Sequence, residues 1–373
     1  MKKILITGGA GFIGSKLAKS LFMKGFDITI LDNLSNKIHS NRDKYNELKE
    51  FSNFIIGDVS LKKDWEKAIL DQDAVIHLAS ETGTGQSMYD IYNYTNVNVS
   101  STALMLDVLT NNHHTIQKII LSSSRSVYGE GKYKCPEHGF IYPSERKLID
   151  LENRNYNFSC EHCKKQLICV ATDENSNINP SSVYAITKHT QEQLLRLAGR
   201  NLNIDTVVLR YQNVYGPGQS LSNPYTGILS IFSTRILNGN DIDIYEDGLE
   251  SRDFIYIDDV VDATAKALQS KKSNNQIFNV GSGKATSVII VAKKLKEFYQ
   301  SNINIKVTHK FRFGDIRHNF ADTSKINLAL DISNKISFSE GLHHFVEWVR
   351  GQKINSDNYL ESYKKLENKG LIR

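Results

Sequence analysis

The chain has little of what marks several protein classes. It holds 4 cysteines in 373 residues, too few for a disulfide scaffold, and no apolar run approaches the roughly 18 residues that cross a bilayer. Its 46 Lys and Arg against 41 Asp and Glu leave a net charge of +5 with no dense basic block, which does not suggest nucleic acid but suits an anionic substrate. The apolar run after Met1 breaks at once into glycines, without a cleavage site. We therefore expect a cytoplasmic protein that binds neither nucleic acid nor a membrane.

Alternating strand and helix patterns fill the first third of the chain and resume at residue 182. With 40% hydrophobic and 23% charged residues, the composition is that of a folded globular protein. The predicted strands cover 4–6, 26–31, 54–56, 74–78, 118–121 and 206–209, and the predicted helices cover 12–21, 63–70, 99–109 and 182–197. Strands that alternate with helices form βαβ units, so we predict an α/β fold with a Rossmann-like, doubly wound parallel sheet.

A glycine-rich turn joins the first predicted strand to the first helix. Gly8 permits a tight turn, Gly11 lets the backbone approach a pyrophosphate, and Gly14 lets helix and strand pack closely. Asp32 ends the second predicted strand, where a carboxylate accepts ribose hydroxyls and repels a 2′-phosphate. The sequence therefore predicts NAD as cofactor. The alternative is a glycine-rich turn followed by an unrelated acid.

Asp58 follows the third predicted strand directly. At this edge of the sheet it could lie against the adenine of the dinucleotide. The alternative is a solvated acid at a strand end.

Tyr184 and Lys188 lie four residues apart in the predicted helix at 182–197, so they share one helix face. An ammonium near a phenol stabilises the phenolate, and we expect it to lower the pKa of Tyr184 and make it a general base. The spacing alone is weak, because any helix can contain it. Support comes from the serines at 122–126, since ligands of doubly wound sheets bind at the carboxyl ends of strands. The alternative there is a serine-rich turn.

Together these motifs resemble the extended short-chain dehydrogenases/reductases, in the group of nucleotide-sugar epimerases and dehydratases. The likeness runs from Met1 to about Ser324 apart from residues 131–179. It rests on TGGAGFIG at 7–14, Asp32, HLA at 77–79, NVN at 96–98, SSSRSVYG at 122–129, Tyr184 with Lys188, LRYQNVYG at 209–216 and RDFIYIDDV at 252–260.

The resemblance implies roles for particular residues. It makes Ser124, Tyr184 and Lys188 catalytic and assigns Lys188 to the nicotinamide ribose as well. It implies cofactor contacts at Gly8, Gly11, Phe12, Ile13, Gly14, Asp32, Asn33, Asp58, Val59, Leu78, Ala79, Asn98, Tyr184 and Lys188. It implies substrate contacts at Thr82, Ser124, Asn213, Arg252 and Arg312, with Asn213 and Arg252 on the diphosphate side. It also implies a homodimer formed through the helix of Tyr184 and the helix that begins at Val99.

Residues 81–88 and 218–229 further resemble the subgroup that includes dTDP-L-rhamnose 4-epimerase. The resemblance therefore implies an NAD-dependent enzyme that inverts C4 of a nucleotide-diphosphate sugar, of the dTDP-L-rhamnose/dTDP-6-deoxy-L-talose type, through a transient 4-keto sugar. Arg125 and Ser126 stand where the 4,6-dehydratases carry two acids, so dehydration lacks its general acid and base. The alternatives are a nucleotide-sugar reductase or dehydrogenase, a UDP-hexose 4-epimerase, and a binding protein that keeps the fold without the chemistry.

The stretch 131–179 is polar and irregular, and it contains all four cysteines. Cys135 with His138 and Cys160 with Cys163 have the two-residue spacing of zinc ribbons, which predicts a closed Cys₃His zinc site of structural type. The alternatives are free thiols on a loop and a redox pair at Cys160 and Cys163. We predict an NAD-binding domain over 1–200 with this insertion at 131–179. A smaller mixed α/β domain for the sugar nucleotide would cover 201–373, with some segments returning to the first domain.

Overall fold

The computed structural model describes residues 1–35, 43–221, 227–332, 336–353, 357 and 359–373. Residues 222–226, part of the sequence motif at 218–229, lie outside these ranges. No helix within them is long and apolar enough to cross a membrane.

The chain forms short strands and helices in alternation. The strands are β1 (Lys3–Thr7), β2 (Asp27–Asp32), β3 (Ser52–Ile56), β4 (Ala74–His77), β5 (Lys118–Ser124), β6 (Tyr133–Cys135), β7 (Gly139–Ile141), β8 (Ile168–Cys169), β9 (Asp205–Tyr211), β10 (Asn213–Tyr215), β11 (Ile242–Ile244), β12 (Ser251–Tyr256), β13 (Gln276–Val280), β14 (Ala285–Ser287), β15 (Ile305–Val307) and β16 (His318–Asn319). The helices are α1 (Phe12–Met23), α2 (Asp43–Lys49), α3 (Lys62–Ala68), α4 (Thr84–Ser87), α5 (Ile91–Tyr94), α6 (Ser101–Asn111), α7 (Leu148–Glu152), α8 (Val183–Leu202), α9 (Ile228–Leu237), α10 (Ile257–Gln269), α11 (Val288–Tyr299), α12 (Ser324–Leu330), α13 (Phe338–Arg350) and α14 (Tyr359–Asn368).

The largest sheet has seven strands in the order β3-β2-β1-β4-β5-β9-β13, and every neighbouring pair is parallel. This order is that of a doubly wound dinucleotide-binding sheet, so the predicted fold class is confirmed. Strands β9 and β13 follow residue 200 in the chain and complete this sheet.

Two apolar cores cover the two faces of the large sheet. Along β1, Ile4 and Ile6 join one core with Leu17 of α1, while Leu5 between them joins the other core with Trp65 of α3. Alternate residues of a strand point to opposite faces, so a strand buried on both faces reads as one continuous apolar run. This is why the central strands could be found in the sequence.

Smaller sheets surround the carboxyl edge of the large one. Strand β12 pairs with β10, β14 and β16, and β11 pairs with β15. The insertion, which the sequence suggested was irregular, forms an antiparallel sheet in the order β7-β6-β8 together with α7. Its strands have two or three residues, too few for an alternating pattern to be visible.

The helix predicted at 99–109 begins later than expected. Residues 95–100 form a wider π-helical turn, and α6 follows from Ser101. Such turns are frequent at functional sites, and this one lies beside α8.

Candidate active site

A cavity of about 1320 Å³ lies at the carboxyl edge of the seven-stranded sheet. Its lining brings together most of the residues selected from the sequence. Those on its wall are Gly8, Gly11, Phe12, Ile13, Gly14, Asp32, Asn33, Asp58, Val59, Leu78, Ala79, Thr82, Ser124, Tyr184, Lys188 and Asn213. Asn98, Arg252 and Arg312 are not part of it.

The turn between β1 and α1 leaves no room for side chains. Gly8 has φ +67°, and its N–H donates to the carbonyl of Leu31 at 2.9 Å. A Cβ on Gly14 would lie 2.3 Å from the carbonyl oxygen of Gly8. Helix α1 begins at Phe12 directly after Gly11, so its first N–H groups are available to an anion at the cavity wall. This close-packed turn fits the pyrophosphate of a dinucleotide.

Asp32 lies at the end of β2 with its side chain 7% exposed. Its carboxylate accepts the backbone N–H of Ala10 at 3.0 Å and that of Leu34 at 2.9 Å. The carboxylate lies on the cavity wall at the end of β2, the position from which an acid accepts the ribose hydroxyls of a dinucleotide. Asn33, the next residue, donates to the carboxylate of Asp58 at 2.9 Å, so both acids stand on one wall of the cavity.

The three predicted catalytic residues line the same cavity. Ser124 ends β5, and its hydroxyl accepts the backbone N–H of Ser126 at 3.2 Å. Tyr184 and Lys188 lie in the first two turns of α8, where the Lys188 Nζ is 6.0 Å from the centre of the Tyr184 ring. The ammonium donates to the carbonyl of Ser122 at 2.9 Å. The structure therefore places a phenol, a hydroxyl and an amine side by side.

The pKa of Tyr184 differs from the sequence-based expectation. Burial raises it, and the opposing effects are a hydrogen bond with Ser124 and the charge of Arg125, not the ammonium of Lys188. Burial also lowers the pKa of Lys188 to about 7, against the pull of Glu192. The expectation of a lowered phenol pKa is wrong for the protein alone, because spacing along a helix does not show how deeply the pair is buried.

Asn98 was predicted to contact the cofactor, and the structure places its side chain outside the cavity lining. The side chain is fully buried. Its amide oxygen accepts from the Glu81 N–H and the Ser80 hydroxyl, and its amide nitrogen donates to the Glu81 carbonyl and the Thr187 hydroxyl. These four bonds fill the capacity of an amide, so Asn98 holds the turn after β4 in place and does not face the cavity.

Arg252 and Arg312 lie near the cavity, behind its wall. The Arg252 Nη1 donates to the carbonyls of Ser251 and Arg317. Arg312 pairs with Asp315 at 3.1 Å, and a Cβ on Gly85, next to the cavity-lining Thr84, would lie 3.4 Å from the Arg312 Nη1. Both guanidiniums are thus bonded to residues 315–317, and the position of this segment sets where each guanidinium lies relative to the cavity.

Two cavity residues were not selected from the sequence. Arg125 donates from Nε to Asn213 at 2.8 Å, but its buried Nη1 has no partner in the described part of the chain. Burial and then the charge of Arg252 lower its pKa to about 9. Gln212 is 5% exposed, and neither of its amide atoms has a partner among the described residues. Both lie inside motifs quoted above, at 122–129 and 209–216, next to Ser124 and Asn213.

The predicted metal ligands come together in the insertion. The ligand atoms of Cys135, His138, Cys160 and Cys163 all lie within 4.8 Å of one another. The Nδ1 of His138 is 3.5 Å from the sulfurs of Cys135 and Cys160, and the sulfurs of Cys135 and Cys163 are also 3.5 Å apart. Tetrahedral zinc with sulfur and nitrogen ligands has edges of roughly 3.5 to 3.8 Å, so this cluster fits such an ion.

Known proteins with this architecture act on nucleotide sugars. The chain is 35% identical to a dTDP-L-rhamnose 4-epimerase of Burkholderia thailandensis, covering 96% of this chain and 97% of the relative. It superposes with a TM-score of 0.76 on a UDP-N-acetylglucosamine 4-epimerase of Methanobrevibacter ruminantium, at 30% identity over 94% of this chain and 99% of that one. A UDP-glucuronic acid 4-epimerase of Bacillus cereus, solved with UDP-glucuronic acid and NAD, also gives 0.76, at 25% identity over 93% and 99%.

A family model agrees with these likenesses. The model of the NAD dependent epimerase/dehydratase family matches residues 4–147 and 160–281, with a break inside the insertion. The matched part contains the glycine turn, Ser124, Tyr184 and Lys188. The predicted resemblance to the extended short-chain dehydrogenases/reductases and the prediction of an NAD-dependent enzyme are thereby confirmed. The chain belongs to the NAD dependent epimerase/dehydratase family.

Proposed function

We propose that the protein is an NAD-dependent epimerase that inverts C4 of a nucleotide-diphosphate sugar, with dTDP-L-rhamnose and dTDP-6-deoxy-L-talose as its substrate pair. The observation that carries the proposal is that Ser124, Tyr184 and Lys188 line one cavity with the glycine turn and Asp32. The 35% identical dTDP-L-rhamnose 4-epimerase supports the choice of sugar.

Each side chain of the constellation has a task in this reaction. Tyr184 takes the proton of the C4 hydroxyl, and Ser124 donates a hydrogen bond to the oxygen as it becomes a carbonyl. Lys188 anchors the nicotinamide ribose. When bound, NAD would supply the hydride acceptor and a positive charge that favours the Tyr184 phenolate. Asn213, Arg252 and Arg312 hold the diphosphate while the 4-keto sugar turns.

Two cavity residues extend this assignment to the sugar. Arg125 Nη1 and the Gln212 amide are buried and have no hydrogen-bond partner among the described residues. A ligand that satisfies such groups gains specificity from them. We assign both to recognition of sugar oxygens. Arg125 also makes dehydration unfavourable, because it supplies a cation where the dehydratase reaction needs an acid.

Turnover without added nicotinamide tests the proposal. Epimerisation has no net redox change, so the purified protein should interconvert dTDP-L-rhamnose and its C4 epimer with the NAD it retains. Conversion only with stoichiometric NAD(H) would favour the reductase or dehydrogenase. Faster conversion of UDP-galactose would favour a UDP-hexose 4-epimerase, in line with the UDP-sugar enzymes among the structural relatives. No conversion of any nucleotide sugar would contradict the proposal.

We propose further that Cys135, His138, Cys160 and Cys163 hold one structural zinc ion. Three of the six distances between their ligand atoms are 3.5 Å, close to a tetrahedral edge, and all four positions would be filled by protein ligands, which leaves none for water. Zinc would stabilise a small sheet whose own apolar core is limited to a few side chains around Tyr133 and Leu167. Freshly purified protein should contain about one equivalent of zinc, and less than half an equivalent would contradict the site.

We also propose a homodimer in the cytoplasm, formed through α6 and α8. Ile186 and Leu197 on α8 are 52% and 55% exposed and lie three turns apart on one helix face. All four cysteines are free thiols, as expected in a reducing compartment. Sedimentation at micromolar concentration should give twice the monomer mass, and a monomer at that concentration would contradict the dimer.

A further inference from the structure

Arg146 joins the insertion to three other parts of the chain. Its side chain is 5% exposed, and its Nη1 lies 2.8 Å from both carboxylate oxygens of Glu246, which follows β11. Its Nε lies 3.4 Å from Glu130, which follows the turn after β5. Its Nη2 donates to the backbone carbonyl of Asp315 at 2.7 Å. One buried guanidinium therefore connects the insertion, the large sheet and the second domain.

The segment held by Arg146 carries the two predicted phosphate-binding arginines. The Asp315 carboxylate pairs with the Nε of Arg312, and its charge is the leading cause of the raised pKa of Arg312. Two residues on, the Arg317 N–H donates to Glu130 at 2.7 Å, while the Arg317 carbonyl accepts the Nη1 of Arg252 at 3.1 Å. Both arginines are thus fastened to residues 315–317.

The insertion packs on the same segment from a second side. Phe311, next to Arg312, is buried against Leu151 and Tyr156 of the insertion. The Tyr156 hydroxyl donates to the carbonyl of His309, and the Asn157 side chain accepts the Nε of Arg317 at 3.1 Å. Leu151, Tyr156 and Asn157 lie in the part of the chain that the family model leaves out. These contacts therefore come from a segment outside the family model.

The chemistry of the junction requires an arginine. A buried guanidinium is costly unless it is paired, and here two carboxylates offset that cost. Its three nitrogens are fixed in one plane and face three partners: Nη1 binds both carboxylate oxygens of Glu246, Nε faces Glu130, and Nη2 donates to the Asp315 carbonyl. A lysine ammonium has the charge but no fork, so it can pair with a carboxylate without spanning all three partners.

We propose that Arg146 is a positioning residue for substrate binding, which sets the placement of Arg252 and Arg312 and thereby the affinity for the diphosphate of the nucleotide sugar. Arg146 does not line the cavity and does not touch the reacting atoms. The inference rests on the proposed function, because it takes the diphosphate as the group that these arginines hold. The inference gives the insertion a role in substrate binding.

The variant Arg146→Lys tests this. It keeps a cation between Glu130 and Glu246 and removes the bridge to Asp315. We expect KM for the nucleotide sugar to rise at least tenfold and the affinity for dTDP alone, measured by calorimetry, to fall by a similar factor. We expect kcat to change by less than about threefold and the retained NAD to stay at the wild-type level, because the glycine turn and Tyr184 are untouched.

Lys147→Met is the matched control. It removes the neighbouring cation from an exposed position and should leave KM and dTDP affinity unchanged. Asn157→Ala is a second test in case Arg146→Lys does not fold, since Asn157 is exposed but holds Arg317. We expect a threefold higher KM from it. An unchanged KM in a folded Arg146→Lys, or in Asn157→Ala if the former does not fold, would overturn the inference. Wild-type protein that binds neither dTDP nor UDP would contradict the proposed function, and this inference with it.

Discussion

Tyr184 shows how burial changes the meaning of a sequence motif. The four-residue spacing correctly predicted that Tyr184 and Lys188 share one face of α8. However, the Lys188 ammonium is bonded to the Ser122 carbonyl, and burial opposes both ionised forms, raising the pKa of the phenol and lowering that of the amine. The free enzyme therefore holds Tyr184 as a neutral phenol at neutral pH, and its activation depends on what binds beside it.

Replacing Tyr184 with Phe should lower turnover about 10³-fold, in the range of a lost general acid–base group. The aromatic ring remains, so the amount of NAD that the protein retains should not change. Absorbance of the released cofactor after denaturation measures this amount. Tyr92→Phe removes the same hydroxyl from a side chain that is 82% exposed and should not affect the rate. A rate within tenfold of wild type for Tyr184→Phe would exclude it as the base.

Gln212 allows a test of sugar recognition at a single amide. In the described part of the chain its two amide atoms are buried without partners, a state that costs about 1–3 kcal/mol. Gln212→Leu should therefore leave the melting temperature without substrate equal or higher, while the affinity for the nucleotide sugar falls about tenfold. Gln269→Leu, on the exposed end of α10, should change neither. Unchanged substrate affinity would show that Gln212 does not contact the sugar.

At the scale of elements, the insertion is the part that sequence patterns described least well. Its three short strands pack around a core of Tyr133, Cys135, Cys160 and Leu167, which is too small to be stable alone. The spacing of the thiols predicted which side chains meet, because ligand spacing is local. It could not predict that Arg146 of the same insertion pairs with Glu246.

Cys160→Ser should abolish zinc binding and expose the insertion to proteolysis. A lost ligand removes most of the binding free energy that folds such a small unit. Limited proteolysis should then cut between residues 131 and 179, with NAD retention unchanged. Cys169→Ser is the control, since this thiol lies outside the cluster, and it should keep zinc and resist the protease. Cleavage of both variants at equal rates would contradict a metal-stabilised insertion.

On the scale of the whole molecule, Glu130 connects parts of the chain that are far apart in sequence. It pairs with Arg146 and accepts the backbone N–H of Arg317. Burial raises its pKa to about 7, against the pull of Arg146. The folded protein therefore holds a proton on this carboxyl at pH values where the unfolded chain has lost it.

Glu130→Gln should show this linkage. Because the folded pKa lies above the unfolded one, the stabilising contribution of Glu130 is complete below about pH 4.5 and is lost as pH rises through about 7. Wild type should thus lose about 1–2 kcal/mol of unfolding free energy relative to the variant between pH 5 and pH 8. Urea denaturation at both pH values measures this, and a difference independent of pH would contradict the raised pKa.

The parts that could be predicted from sequence are those whose function depends on close neighbours in the chain. The glycine turn, Asp32 at a strand end and the Tyr184–Lys188 pair each belong to one strand–turn–helix unit. Arg146 could not be selected from the sequence, because its ion-pair partner Glu246 is 100 residues away in the chain. The hydrogen bonds of Asn98 could not be predicted for a related reason, since only the fold shows that Thr187 and Glu81 are its partners.

The strand order also has a consequence for synthesis on the ribosome. Strand β5 pairs with β4 on one side and β9 on the other, and the entire insertion and all of α8 separate Ser124 from Asp205. A nascent chain therefore displays β5, with its edge amides unpaired, throughout translation of that stretch. An insertion that folds early around a bound metal ion would keep residues 131–179 compact and away from the open edge of β5 while β9 is still being synthesised.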